Sequence, residues 1–203
     1  MSDLSFLDFE GLVTRAVVDP AAEREVHRRF GTSAAILVVD FTGMVRRTDA
    51  RGIVYALGRA RAAEAAMALT GTRVKRVADT VFALYTSPFD ALEDALSAHR
   101  RLRALMHSSD DPIHACIGLG FGPMLVIPGH DCFGAEVNRA FVLGEDVAKG
   151  GETLVTPEFL AAIGSLPEGV GAYRAPEERE AEPGFAFHVV SDYRDAAAAA
   201  TPG

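Results

Sequence analysis

At 203 residues, 49% of them hydrophobic, the chain is long enough to bury one sizeable core and short for two. Its formal net charge of −8 offers no basic field, which argues against nucleic acid as a partner, and no apolar run is long enough to span a membrane. Cys116 and Cys132 match no zinc-ligand spacing and suggest no disulfide framework. Met1-Ser2-Asp3-Leu4 does not open a signal peptide, so a reducing cytoplasm is the expected location.

Residues 1–33 read as a lead-in, in which Asp19-Pro20 opens a charged helix from Ala21 to Phe30. Residues 34–191 carry alternating strand and helix signals. Residues 192–203 end in an alanine run before Thr201-Pro202-Gly203, which has nothing to pack and is expected to fray. Within the central part, Ala35 to Val39 is continuously apolar, as in a strand buried on both faces. Arg51 to Thr70 reads as a helix with Ile53, Leu57, Ala60 and Met67 on one face and Gly71 ending it. Arg73 to Ala78 and Thr80 to Tyr85 read as two strands joined tightly around Asp79. Pro88 starts a second helix; Leu92, Leu96, His99, Leu102 and Met106 share a face, which makes His99 a packed core histidine.

Ile113 to Leu119 is the next strand, and Gly122 to Ile127 reads as another, turning at Pro128-Gly129. A helix follows from Glu136 to Ala148, then a strand at Thr153-Leu154-Val155 and a short helix from Pro157 to Ile163. Tyr173 and Phe185 to Val190 supply the last strand material. Strand–helix–strand–strand–helix–strand is the ferredoxin-like α+β order, with helices packed on one face of an antiparallel sheet.

Asp40 and Asp79 each stand at the tip of a strand-like run. A carboxylate there is costly unless it meets a cation or a solvated cleft. Two readings fit: each ends a strand and caps the next turn, or both face one site that binds a divalent metal.

Four segments carry a resemblance. Residues 34–44, Ala34-Ala35-Ile36-Leu37-Val38-Val39-Asp40-Phe41-Thr42-Gly43-Met44, resemble the opening strand and loop of the class III nucleotidyl cyclase catalytic domain. Lys75-Arg76-Val77-Ala78-Asp79 resembles that family's Lys-x-Ile-Gly-Asp hairpin. Asp131-Cys132-Phe133-Gly134-Ala135-Glu136-Val137-Asn138-Arg139-Ala140 is similar to its Asp-x-x-Gly-x-x-Val-Asn-x-Ala segment, and Gly150 to Thr156 to the Gly-Glu-x-Leu-Val-Ser strand that follows. The order and spacing of the four span residues 34 to about 165.

The resemblance implies a domain over residues 34–191 that cyclises ATP to 3′,5′-cyclic AMP and pyrophosphate with two Mg²⁺ or Mn²⁺ ions. Asp40 and Asp79 would bridge the metals, with the Phe41 carbonyl completing one coordination sphere. The loop Phe41, Thr42, Gly43, Met44 would turn backbone N–H groups to the phosphates. Lys75 and Asp131 match the positions that read adenine, a donor for N1 and an acceptor for the 6-amino group. Taken singly, Lys75 also reads as a solvated strand-edge charge and Asp131 as a turn residue. The family's site lies between two subunits, so a homodimer is implied.

The chain also departs from the family's pattern. The transition-state arginine four residues after Asn138 is here Val142, leaving the neighbouring Arg139 as the candidate catalytic cation beside Asn138. Met44-Val45 replaces Phe-Thr, Ala78 replaces the hairpin glycine, and no lysine stands near the last strand. The alternative is a cyclase-like domain that binds nucleotide or dimerises in a regulatory role.

Overall fold

The computed structural model describes residues 6–107, 109–180 and 183–194. Its central strand, β1 (Gly31–Phe41), pairs antiparallel with β3 (Thr80–Tyr85) on one side and β4 (Ala115–Ile127) on the other. With neighbours at both edges and helices on both faces, Ala35 to Val39 are all 0% exposed. That is the physical origin of their unbroken apolar run. The sheet order is β2 (Thr72–Val77), β3, β1, β4, β6 (Thr153–Val155), β8 (His188–Asp192), β7 (Val170–Arg174), with β5 (Asp131–Phe133) on the far end of β4. Among the described residues only β4 and β6 run parallel. The architecture is α+β, as the element order implied.

Helices α4 (Ile53–Met67), α5 (Pro88–Met106) and α7 (Pro157–Ile163) cover one face, over Leu37, Val39, Ile117 and Leu119. The expectation that all helices share this face needs correction. Helix α6 (Ala135–Val142) crosses the other face, over Ile36, Val38, Val74 and Phe82. Alternation in β4 puts Gly118, Gly120 and Gly122 on that face together. A Cβ at Gly118 would stand 2.0 Å from the Ala140 carbonyl oxygen, and one at Gly120 2.7 Å from that of Glu136. The bare strand lets the α6 backbone lie directly on the sheet.

The same glycines explain a second difference. Ile113–Leu119 and Gly122–Ile127, expected as separate strands, form the single 13-residue β4. The helix expected over Arg51–Thr70 is α4, which starts only at Ile53 because Gly52, at a φ of 86° that no helix accommodates, separates it from α3 (Met44–Arg51); Ala68, at φ 49°, then ends α4 before Gly71. The helix expected from Glu136 to Ala148 becomes α6 and a π-helical turn over Leu143–Val147, closed by the Ala148 N–H donating to the Leu143 carbonyl at 2.8 Å.

Helix α2 (Pro20–Phe30) starts where Asp19 accepts from the Ala21 N–H, and an unforeseen α1 (Phe6–Ala16) packs with it. Phe9, Leu12, Val26 and Phe30 close over Ile127, with Phe9 stacked on Phe133 at 5.4 Å between centroids. His99 is buried as expected; its Nε2 lies 2.9 Å from the Thr153 hydroxyl, and burial pushes its pKa down to about 4, so it is neutral. Both cysteines are buried free thiols. The alanine run at 196–200 lies outside the described residues. No helix among those described is long and apolar enough to cross a membrane.

Candidate active site

Asp40 is the penultimate residue of β1, and Asp79 sits in the two-residue turn between β2 and β3, next to the Val77–Thr80 pair. Ala78, at φ 51°, supplies the left-handed conformation such a turn needs, a place where glycine is the unstrained choice. Because β3 pairs directly with β1, the turn brings Asp79 close enough to Asp40 for its charge to raise the Asp40 pKa.

A third carboxylate joins them. Glu145 lies on the π-helical turn, and its Oε2 accepts from the Thr80 hydroxyl at 2.6 Å. Gly144 makes this approach possible, since a Cβ there would meet the Val38 carbonyl oxygen at 2.9 Å. Burial, followed by the charges of Glu145 and Asp79, pushes the Asp40 pKa up to about 7, against a donated Phe41 N–H. A half-buried carboxyl crowded by two neighbouring carboxylates belongs to the kind of donor set a hard divalent ion relieves. Among the described residues no three such side chains close into a cage of their own, so a metal here would take its remaining ligands from elsewhere.

The raised pKa has a consequence for stability without metal. Between about pH 4 and pH 7 the unfolded chain releases the Asp40 proton while the folded chain keeps it. The Asp40 contribution is therefore fully present below pH 4 and lost as pH rises through 7. Asp40→Asn is expected to raise the melting temperature of the metal-free protein at pH 8 and leave it nearly unchanged at pH 4. Thermal denaturation in chelator at both pH values checks this.

The loop after Asp40 is rigidly held. Phe41 is 2% exposed, its ring in the core. The Thr42 N–H donates to the His114 carbonyl at 3.0 Å, and its hydroxyl accepts from the His114 N–H at 3.1 Å. Gly43 has φ 82°, and Met44 starts α3 with its side chain against the core; no side chain caps the N-terminus of α3. Beneath the loop lies Arg47, only 2% exposed, which donates to the carbonyls of Thr42 and Pro112 and through Nε to Asp111 at 2.9 Å. The strand–Asp–loop pattern gave no sign of this buried clamp.

Lys75 and Asp131, 56 positions apart, meet at 2.5 Å between Nζ and Oδ1, with the ammonium 4.5 Å from the centroid of Phe82. Pairing of β5 with β4 brings Asp131 there, and the Cys132 N–H fixes its carboxylate at 2.7 Å. Asn138 is exposed on α6. Arg139 pairs with Glu136 at 2.7 Å and Glu158 at 3.0 Å. Glu136 is 4% exposed and also accepts from the Thr156 hydroxyl at 2.6 Å, so Arg139 is the cation that compensates a buried carboxylate. Val142, partly buried, packs against the apolar cluster that includes Leu143.

The sequence matches no protein-family model and no curated protein. Solved structures are similar, however. The adenylate/guanylate cyclase/hydrolase from Silicibacter pomeroyi shares 20% identity at a TM-score of 0.63, over 79% of this chain and 95% of that one. The adenylyl cyclase CyaB from P. aeruginosa shares 18% identity at 0.59, over 81% and 97%. The catalytic core of a rhodopsin-guanylyl cyclase with converted specificity, in complex with ATPαS, shares 15% identity at 0.63, over 80% and 98%. The chain has the class III nucleotidyl cyclase fold.

Within that cyclase fold, the three carboxylates lie at the turn end of the β2–β3 hairpin and the Lys75–Asp131 pair farther along it. Glu145, Arg47 and Asp111 escaped the sequence reading. The one available signal for Glu145 was a glutamate directly after a glycine; the extra residue of a π-helical turn leaves no periodic trace.

Proposed function

We propose that the chain is a nucleotidyl cyclase acting on ATP, forming cyclic AMP and pyrophosphate at a homodimer interface. The observation that carries this reading is that one subunit presents both halves of such a site, the Asp40–Asp79 carboxyl pair and the ion pair of Lys75 on β2 with Asp131 on β5. Asp40 and Asp79, with the Phe41 carbonyl, would hold two Mg²⁺ or Mn²⁺ ions. When bound, such ions lower the barrier by polarising the attacking 3′-hydroxyl and neutralising charge on the triphosphate. The phosphates would sit over the Phe41–Met44 loop, where Thr42 acts as an anchor to His114 and the α3 N-terminus offers backbone N–H groups.

Lys75 presents donors and Asp131 an acceptor at neighbouring positions, which suits N1 and the 6-amino group of adenine. Asn138, exposed on α6, would contact the substrate from the partner side of the interface. Arg139 already gives its Nη1 to Glu136 and Glu158, so a phosphate would compete with two carboxylates for that nitrogen.

Incubating purified protein with each nucleoside triphosphate and Mn²⁺, followed by mass spectrometry of the products, tests the proposal. Cyclic AMP is the expected product, and its absence with every nucleotide rejects the catalytic reading. The regulatory alternative is favoured by one observation, the apolar packing of Val142 at the family's arginine position.

Base choice gives a sharper test. GTP would set donor against donor at Lys75 and acceptor against acceptor at Asp131, at about 1–3 kcal/mol for each unsatisfied group. Lys75→Glu combined with Asp131→Cys is expected to shift preference toward GTP. Competition binding with ATP and GTP reads the ratio, and tight GTP binding that the double change leaves untouched removes these residues from base recognition.

A further inference from the structure

Asp111 gathers more positive charge than it neutralises. Its carboxylate accepts from Arg47 Nε at 2.9 Å, Arg46 Nη2 at 3.0 Å and the Tyr55 hydroxyl at 3.2 Å, while Arg59 Nε lies 4.0 Å away. The Arg47 guanidinium beside Asp111 holds its carboxyl below the usual range, so it stays ionised at neutral pH. One carboxylate among three guanidinium groups leaves a local surplus of positive charge, in a protein whose net charge is −8.

The two neighbouring arginines meet the same carboxylate but differ in exposure. Arg47 is turned inward and holds the Thr42 carbonyl. Arg46 has a side chain 67% exposed, and its Nη2 lies 3.6 Å from where a Gly43 Cβ would stand. Its guanidinium therefore lies at the exposed side of the loop that follows Asp40. The carboxylates of Asp40, Asp79 and Glu145 would repel a polyphosphate, so a binding site needs compensating positive charge.

We propose that Arg46 is the side chain that binds the terminal phosphates of the substrate, with Asp111 as the residue that aims it. The inference rests on the nucleotide reading above. A guanidinium fork matches two phosphate oxygens, and its planar donors suit bidentate contact. The tether to Asp111 restricts the long side chain before ligand arrives, which reduces the entropy lost on binding. Arg47 and Arg59 also face Asp111, so that carboxylate stays compensated while Arg46, tethered through Nη2, offers its remaining N–H groups to a phosphate.

Calorimetric titration of wild type and Arg46→Ala with ATP, AMP and inorganic tripolyphosphate, all in excess Mn²⁺, tests this. Arg46→Ala is expected to weaken ATP and tripolyphosphate by about tenfold or more, with AMP unchanged. Arg46→Lys should recover part of the loss, and the melting temperature of all three proteins should agree because the side chain is exposed. An equal loss for AMP would mean that the loop has collapsed and overturns the assignment. Unchanged affinity for ATP and tripolyphosphate in Arg46→Ala overturns it too, while leaving the nucleotide reading in place. A wild type that binds none of the three ligands overturns both.

Discussion

Asp40→Asn and Asp79→Asn are each expected to abolish turnover, by about three orders of magnitude or more, because each removes a charge from the pair proposed to hold the metals. Fold and dimer should survive, since both carboxyl groups lie at the tip of the sheet and outside the hydrophobic clusters. Thermal stabilisation by ATP should require Mg²⁺ or Mn²⁺ in the wild type and lose that requirement in both variants. An equal metal response in all three proteins would sink the metal assignment. If the site is shared between subunits, mixing inactive Asp40→Asn with inactive Lys75→Ala should restore part of the activity. In the mixed dimer one of the two sites keeps both an intact carboxylate pair, from one subunit, and an intact base-reading pair, from the other.

Val142→Arg is expected to raise turnover by up to about two to three orders of magnitude with little change in KM, because a guanidinium at that place would act mainly on the transition state. Val142 packs against the cluster that includes Leu143, so an arginine there has to lay its aliphatic stem along that cluster and carry its charge outward. Arg139 is the competing candidate. Its removal leaves Glu136, 4% exposed, without a cation, so Arg139→Ala should lower the melting temperature whatever it does to rate. Steady-state kinetics beside thermal melts separate the cases. An efficient wild type, crippled by Arg139→Ala out of proportion to the lost stability, means that Arg139 has taken over the role. Absence of cyclic nucleotide from both wild type and Val142→Arg, with nucleotide binding intact, favours the regulatory reading.

Much of this was legible in the chain because the signals are local. The unbroken run Ala35 to Val39 could only be a strand covered on all sides, and it is the centre of the sheet. Pro88 and Pro157 marked helix starts that the structure reproduces, since a proline at the first helical position gives up an N–H that had no partner anyway. Asp79 between two strand patterns fixed a hairpin, and adjacency of that hairpin to β1 was enough to bring it to Asp40. Lys75 and Asp131 entered through motif spacing, and each had a bland reading when taken singly.

What the sequence left undecided depends on contacts between distant backbones. Gly118, Gly120 and Gly122 could equally have marked a turn; only the close approach of α6 makes them a flat bed on the second face. Gly52 fits a helical pattern until its left-handed φ breaks the helix. Glu145 reaches Thr80 and the Asp40–Asp79 pair because one extra residue in a π-helical turn redirects it. Arg47 reads as a surface charge, yet is buried with a carboxylate and two carbonyls that lie 64 or more positions away in two of its three contacts. The sequence by itself determined most of the elements and singled out the two aspartates, because periodicity and turn chemistry act over a few residues. The tertiary structure alone decided which charges meet, because that depends on how close two backbones come, and no short stretch of sequence encodes that distance.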